Sequence, residues 1–509
     1  MRRSHEATAA IESYSPAEER FNRRRRSAGL IVAPALFLAV LLWPMPGLPP
    51  QAHRLAAIMA MVVALWITEA LPMAVTALLG PVLAVVLRVA PAREAFSAFA
   101  DPIIFLFIGS FILAEAMFVH GLDRRVAFTA LSMRMVGTRP ARVLVAYGAV
   151  SVLVSMWISN TATTAMMFPI GLSIVAHLGA GGGGNAKDVE RFALAMMLMT
   201  SFAASVGGVG TPVGTPPNLI GIGMLERTLG IRISFFQWML LGIPIVVALF
   251  AFLALYFHLT CVRGARIGEG SATLAQDELQ KLGPMSAGQR NVLFAFGLTV
   301  ALWLLPGVLA ITGAGQSAFA KAYEAAVPES VAAIVGAIFL FVLPIDWRGR
   351  RFTLTWDEAV RIDWGIILLF GGGLALGTLT FSTGLAESMG KGVASWLPSQ
   401  TPLALTILFT GFAIVMSEAA SNTASANMIV PVAIAVAQAA GVRAIEPALG
   451  ATLGASMGFM MPISTPPNAI IYSSGHVPIT AMMRHGIVLD VAGFVVIVTV
   501  VTLLGWIVG

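Results

Sequence analysis

The 509-residue chain is 58% hydrophobic and only 11% charged, with a mean hydropathy of +0.86, well above the apolar share of soluble domains. Those values exclude a soluble globular protein and indicate a polytopic membrane protein. The net charge of +6 comes from arginines set between hydrophobic runs, where they report topology rather than a nucleic-acid surface, and the single cysteine, Cys261, excludes an intrachain disulfide framework and a dithiol redox centre.

Residues 1–28 are polar and charged, and are expected to form a disordered, basic cytoplasmic tail. The run Arg23 to Arg26 precedes an apolar segment, but no small-residue cleavage site follows before WPMPGLPP, so an uncleaved first helix is expected. Residues 29–509 are expected to form one membrane domain. Hydrophobic runs bounded by charges, Pro and Gly place spans near 30–48, 53–71, 73–88, 102–120, 191–222, 236–260, 291–310, 330–344, 364–382, 444–472 and 485–508. Residues 180–184, AGGGG, read as a flexible loop, because no strand precedes them and no Lys follows as a P-loop requires.

Two further apolar stretches, 142–176 and 402–437, carry SNTATTAMMFPIG from Ser159 and SNTASANMIVPVA from Ser421. Each can be one long span or a hairpin that enters and leaves by the same face. Reading both as re-entrant, with the tail inside, leaves most of the 31 Lys and Arg inside. Two full spans would instead move RGRR at 348–351 outside. The all-α fold expected is therefore about eleven spans plus two re-entrant hairpins, with the N-terminus cytoplasmic and the C-terminus outside.

The two halves of the chain repeat. FIGSFILAEAMFVHGL from Phe107 aligns without gaps on FGGGLALGTLTFSTGL from Phe370, pairing Gly109 with Gly372, Phe118 with Phe381 and Gly121 with Gly384. The SNT motifs pair Pro169 with Pro431, and GTPPN at 214–218 pairs with STPPN at 464–468, in the same order and at nearly constant offset. An odd number of spans between the copies makes this an inverted repeat, about 53–260 and 291–508, the plan of many secondary transporters.

These motifs suit ions. Pro217 and Pro467 cannot donate a backbone hydrogen bond, and the residue before a proline avoids the helical region. TPPN therefore breaks its span and frees carbonyls, with Thr215, Thr465, Asn218 and Asn468 at the edges. Ser, Asn and Thr favour helix starts, whose partial positive charge suits an anion. Ser155 and Ser417 add a hydroxyl one turn before each motif. Intramembrane Lys and Arg are nearly absent, so a dianion there needs helix ends and bound cations to neutralise it.

The paired SNT motifs, the paired TPPN motifs and EAVRIDWGIILLFGGGLALG at 358–377 together resemble the divalent anion:sodium symporter family over roughly residues 30–508. The resemblance implies a homodimer in the cell membrane that carries succinate-type dicarboxylates, citrate or sulfate with sodium as coupling ion and no cofactor. It implies one sodium site at Ser155, Ser159, Asn160 and the backbone around Gly208, Gly210 and Gly214. A second would lie at Ser417, Ala420, Asn422 and the backbone around Met461 to Thr465. Asn160, Thr161, Asn422 and Thr423 would hold the substrate carboxylates, with Thr215, Pro216, Thr465 and Pro466 nearby. GVGTPVG in the first half is glycine-rich and FMMPIS in the second is not, a departure that bears on the second site.

Plainer readings stand beside these. Hydroxyls and amides in membrane helices often only bond the preceding turn or a neighbouring helix, but that does not explain two copies in register with two proline breaks. Glu418 is read as a structural acid paired with a nearby donor, with a proton site as the alternative. Met156 occupies its place in the first half. Glu69 and Glu115 are open to either reading, and histidines 120, 177, 258, 476 and 485 lack metal-ligand spacing. The function expected is symport of a C4-dicarboxylate with sodium. Sodium-independent dicarboxylate exchange and sulfate or citrate transport remain alternatives. An anion channel lacks its ring of basic residues, and an enzyme lacks any catalytic motif.

Overall fold

The computed structural model describes residues 16–133, 139–180, 185–263 and 271–508; residues 1–15 and the glycines at 181–184 lie outside them. The architecture is helical, and nine of the described helices are long and apolar enough to cross a membrane. A two-stranded ribbon, Pro344–Asp346 with Arg351–Phe352, is an addition to the expected all-α fold. Its strands turn through WRGR, where Arg350 takes φ 50°.

The first helix runs Pro16–Leu42 and so takes in Arg23 to Arg26. The expected disorder does not extend through residues 16–28. Arg25 pairs with Glu69 at 2.6 Å and Arg26 approaches the same carboxylate at 3.7 Å, which anchors the basic run beside the end of Pro50–Thr68. Glu69 therefore has a structural partner. The span expected at 330–344 is the second part of a bent pair, Ala318–Ala326 and Glu329–Val342, that meet at 64°.

Each SNT stretch is two helices meeting at the motif. Pro140–Ser155 is followed by Asn160–Ala180, and Pro402–Ala419 by Asn422–Ala439. Neither is one long helix. The spans expected at 191–222 and 444–472 are both broken, into Ala186–Gly208 with Pro216–Leu229 and into Ile445–Gly454 with Pro466–Tyr472. Proline at the first helical position restarts each one, where the missing N–H costs nothing.

Glycines matched between the halves have matching work. Gly121 and Gly384 take φ 61° and 79°, a left-handed conformation that favours glycine, and each turns a long helix into a short one. Gly109 lies against the Ala333 backbone, where a Cβ would meet the carbonyl carbon at 2.6 Å, and Gly372 lies as closely on the Ala77 carbonyl.

The packing of the broken spans is reciprocal. Pro466–Tyr472 lies against Ala186–Gly208 and Asn160–Ala180, while Pro216–Leu229 lies against Ile445–Gly454 and Asn422–Ala439. Each half thus sets its restarted helix on the broken span and the SNT helix of the other half. Two buried contacts tie this crossing: Ser201 Oγ donates to Asn468 Oδ1 at 2.6 Å, and the Phe202 and Phe459 rings meet edge-on at 5.1 Å.

Candidate ion and anion site

At the first tip, Ser155 ends one helix and Asn160 opens the next. Ser155 Oγ donates to Asn160 Oδ1 at 2.8 Å, and Ser159 Oγ caps the new helix by accepting from the Ala162 amide at 3.3 Å. The second tip repeats this geometry: Ser417 Oγ donates to Asn422 Oδ1 at 2.7 Å, and Ser421 Oγ accepts from the Ala424 amide at 3.2 Å. The sequence spacing explains the match, since a serine one turn before the break reaches the first residue after it.

The breaks close onto these tips. Asn218 Nδ2 donates to the Gly208 and Thr211 carbonyls at 2.9 and 2.7 Å. Asn468 Nδ2 donates to the Gly458 and Met461 carbonyls, both at 3.0 Å. The asparagine of TPPN therefore braces its own break across both ends, and the Thr211 and Met461 carbonyls also accept from the Gly214 and Ser464 amides at 3.4 and 3.2 Å. Gly208 sits directly against Asn160 Oδ1, and Gly214 against the Gly208 carbonyl, where a Cβ would stand 2.5 Å away. Gly458 has the same place in the second half, where a Cβ would meet Ser417 Oγ at 3.0 Å and Asn422 Oδ1 at 3.3 Å.

The two loops are held differently. Thr211 Oγ1 donates to the Met156 carbonyl in the first, and Trp238 Nε1 donates to the Val209 carbonyl at 3.0 Å. In the second, Glu418 takes over. Its Oε1 accepts from the Met460 amide at 2.8 Å, and its Oε2 accepts from the Met461 amide at 3.2 Å and the Ser464 hydroxyl at 2.6 Å. A loop without the glycines of GVGTPVG leaves two amides turned inward, and the carboxylate satisfies them. Glu418 thus has the nearby donors expected of a structural acid. Ser417 Oγ also reaches the Ala455 carbonyl at 2.8 Å, and Asn422 Nδ2 the Ser456 carbonyl at 3.5 Å.

Among the expected site residues, Ser155, Asn160, Gly208 and Gly214 are brought together, as are Ser417 and Asn422 with the break from Ala455 to Gly458. Met461 and Thr465 belong to that break through Asn468; Thr465 Oγ1 accepts from the Asn468 amide at 3.3 Å. Thr215 and Thr423 are buried, Thr161 and Pro216 half-buried, and Pro466 exposed. Gly458, Ser456 and Ala455 were not among the expected residues. The offset that pairs GTPPN with STPPN also pairs Gly208 with Gly458, so that glycine was within reach of the sequence.

Hydroxyl, amide and carbonyl oxygens are hard ligands that suit a small cation. Buried hydroxyls without a partner, Thr163 and Ser205 in the first half and Ser425 and Ser456 in the second, add oxygen atoms beyond those the fold uses. Thr163 and Ser425 occupy corresponding places four residues after each tip serine. The N-termini of Asn160–Ala180 and Asn422–Ala439 add partial positive charge for an anion.

A family model described as the sodium:sulfate symporter transmembrane region matches residues 24–509. The sodium-dependent dicarboxylate transporter SdcS of Staphylococcus aureus strain USA300 is 34% identical over 480 residues, covering 93% of this chain and 90% of the relative; SdcS of strain MSSA476 matches to the same extent. Among solved structures, the Alcanivorax borkumensis YdaH transporter aligns with a TM-score of 0.53 at 14% identity, over 82% of this chain and 88% of that one. Neisseria gonorrhoeae MtrF, of a class described as antimetabolite efflux pumps, aligns with a TM-score of 0.50 at 13% identity, over 91% and 97%. At such identities the likeness to these two is one of fold.

Proposed function

The chain belongs to the sodium:sulfate symporter family, and from that premise we propose that it is a secondary active transporter that moves small dianions together with sodium by alternating access. Its substrates in this reading are C4-dicarboxylates such as succinate, malate or fumarate, the class named in its SdcS relatives. It works as a homodimer in the cell membrane, with the N-terminus cytoplasmic and the C-terminus outside.

The reciprocal packing of the two broken spans carries this reading, because it gathers both SNT helices and both breaks into one region. The first sodium ion is held by Ser155, Ser159, Asn160 and the backbone at Gly208, Gly210 and Gly214. Ser417, Ala420, Asn422, Met461 and Thr465 hold the second, joined by Gly458 as the counterpart of Gly208. Asn160 and Asn422 are bifunctional: the amide oxygen faces the cation, and the amide nitrogen donates to a carboxylate, Asn422 with the N–H left over from its bond to the Ser456 carbonyl. Thr161 and Thr423 add hydroxyl donors, with Thr215, Pro216, Thr465 and Pro466 around them.

Charge explains the coupling. A dianion far from Lys and Arg depends on helix ends worth about half a charge each and on bound cations. One unit charge about 4 Å from a carboxylate contributes roughly 4 kcal/mol at an effective dielectric of about 20, so substrate binds poorly until both cages are filled. The test is uptake of labelled succinate into proteoliposomes carrying Asn160→Ala or Asn422→Ala. Both variants are expected to lose sodium-dependent uptake while still inserting and assembling. Full uptake in both would remove these residues from the site.

A further inference from the structure

The second break has an acidic neighbour that the two cages do not use. Asp490 lies within the apolar helix Ile479–Leu504 and is 5% exposed. Its carboxyl stands within hydrogen-bonding reach of that of Glu418 and of the Phe459 amide, and no donor with full hydrogen-bond geometry satisfies either Asp490 oxygen. Glu418, by contrast, is held as an acceptor by three neutral donors. Two ionised carboxylates at membrane depth need a compensating positive charge, from a proton or a bound cation.

Among the described residues, the helices that pack most closely here supply none. Phe235–Phe257, Pro402–Ala419 and Ile445–Gly454 are the helices packed on Ile479–Leu504, and their ionisable side chains are Tyr256, Glu418 and Glu446, with no Lys or Arg. Glu446 approaches Arg443 at 3.5 Å. On the helix itself, His485 is taken by the Tyr256 hydroxyl at 2.8 Å, and Arg484, six residues before Asp490, lies about 240° around the helix from it.

The first half has no such pair. Gly242 and Gly486 mark equivalent positions, because each seats its helix on the backbone of its break, at Val209 and Gly210 or at Phe459 and Met460. Counting on from them places Val246 opposite Asp490, as Met156 stands opposite Glu418. The shared fold therefore does not require the acids. We propose that Asp490 and Glu418 hold a further sodium ion between their carboxylates, a third cation site adjoining the second cage. Met461 links the two: its amide holds Glu418 Oε2, and its carbonyl belongs to the break braced by Asn468.

This inference rests on the sodium-coupled reading above. The test is equilibrium binding of radiolabelled sodium, without substrate, to the purified full chain in nanodiscs. The wild type is expected to bind one more ion per chain than the two cages account for. Asp490→Asn is expected to lose one ion while eluting as a single folded species, and Asp490→Glu to recover it. An unchanged ion count in Asp490→Asn overturns the proposal, including the case in which only the pH dependence of binding changes, which would assign the pair a shared proton. Should Asp490→Asn fail to fold, a wild-type count of two ions overturns it equally. No sodium bound by the wild type would overturn sodium coupling itself, a separate outcome.

Discussion

Gly208→Ala is a sharp probe of the first cage. The added Cβ would stand 2.3 Å from Asn160 Oδ1 and 3.0 and 3.1 Å from its amide carbon and nitrogen, so the side chain must move. Its hydrogen bond from Ser155 is then lost, about 0.5–1.5 kcal/mol, and the overpacked loop costs about 1–3 kcal/mol more. A total of about 1.5–4.5 kcal/mol at the ligand pair corresponds to at least a tenfold loss of sodium affinity, since about 1.4 kcal/mol is tenfold. Gly458→Ala is the internal control, because its Cβ would meet Ser417 Oγ at 3.0 Å and Asn422 Oδ1 at 3.3 Å, contacts that a shift of a few tenths of an ångström relieves. The assay is the sodium dependence of succinate uptake in proteoliposomes. Gly208→Ala should need at least tenfold more sodium for half-maximal uptake, and Gly458→Ala much less of an increase. Wild-type sodium dependence in Gly208→Ala would refute the placement of Asn160 Oδ1 at a cation.

Asn468→Ala removes a side chain that bonds two break carbonyls and Ser201 of the other half; at about 1 kcal/mol per bond it should lower thermal stability in detergent more than Asn218→Ala, whose side chain makes two such bonds. Equal melting temperatures would argue against the cross-half tie. Asp123 opens Leu122–Leu131, beyond the end of the preceding span, and burial pushes its carboxyl up to about 6. The folded state therefore holds that proton more tightly than the unfolded chain, and above pH of about 6 the buried charge opposes folding. Asp123→Asn should raise the melting temperature most above that pH, with the gain shrinking as pH falls toward the ordinary Asp value of about 3.9. A gain independent of pH would assign the effect to packing.

The parts of this protein legible in its sequence are those where chemistry forces a residue type. Proline pairs fixed where the spans break, and serines at one-turn spacing fixed the tip geometry, down to Ser155 with Asn160 and Ser417 with Asn422. The glycines paired between the halves revealed the repeat, and their work as turns and close helix contacts shows only in three dimensions. Tertiary contacts decided the rest. Nothing local marks Arg25 as the partner of Glu69, so a helix that starts at Pro16 read as a tail. Asp490 carries no motif and gains meaning only beside Glu418. Gly458 is reachable through the TPPN offset but stands among apolar neighbours, because the second loop is held by an acid rather than by glycines.

Sodium-driven dicarboxylate uptake is tested most directly by labelled succinate in proteoliposomes, with and without an inward sodium gradient, and with sulfate, citrate and malate as competitors. Sodium coupling predicts accumulation that requires the gradient, is competed by malate, and is lost in Asn160→Ala and Asn422→Ala. Equal uptake in sodium-free vesicles preloaded with dicarboxylate would contradict it and identify an exchanger.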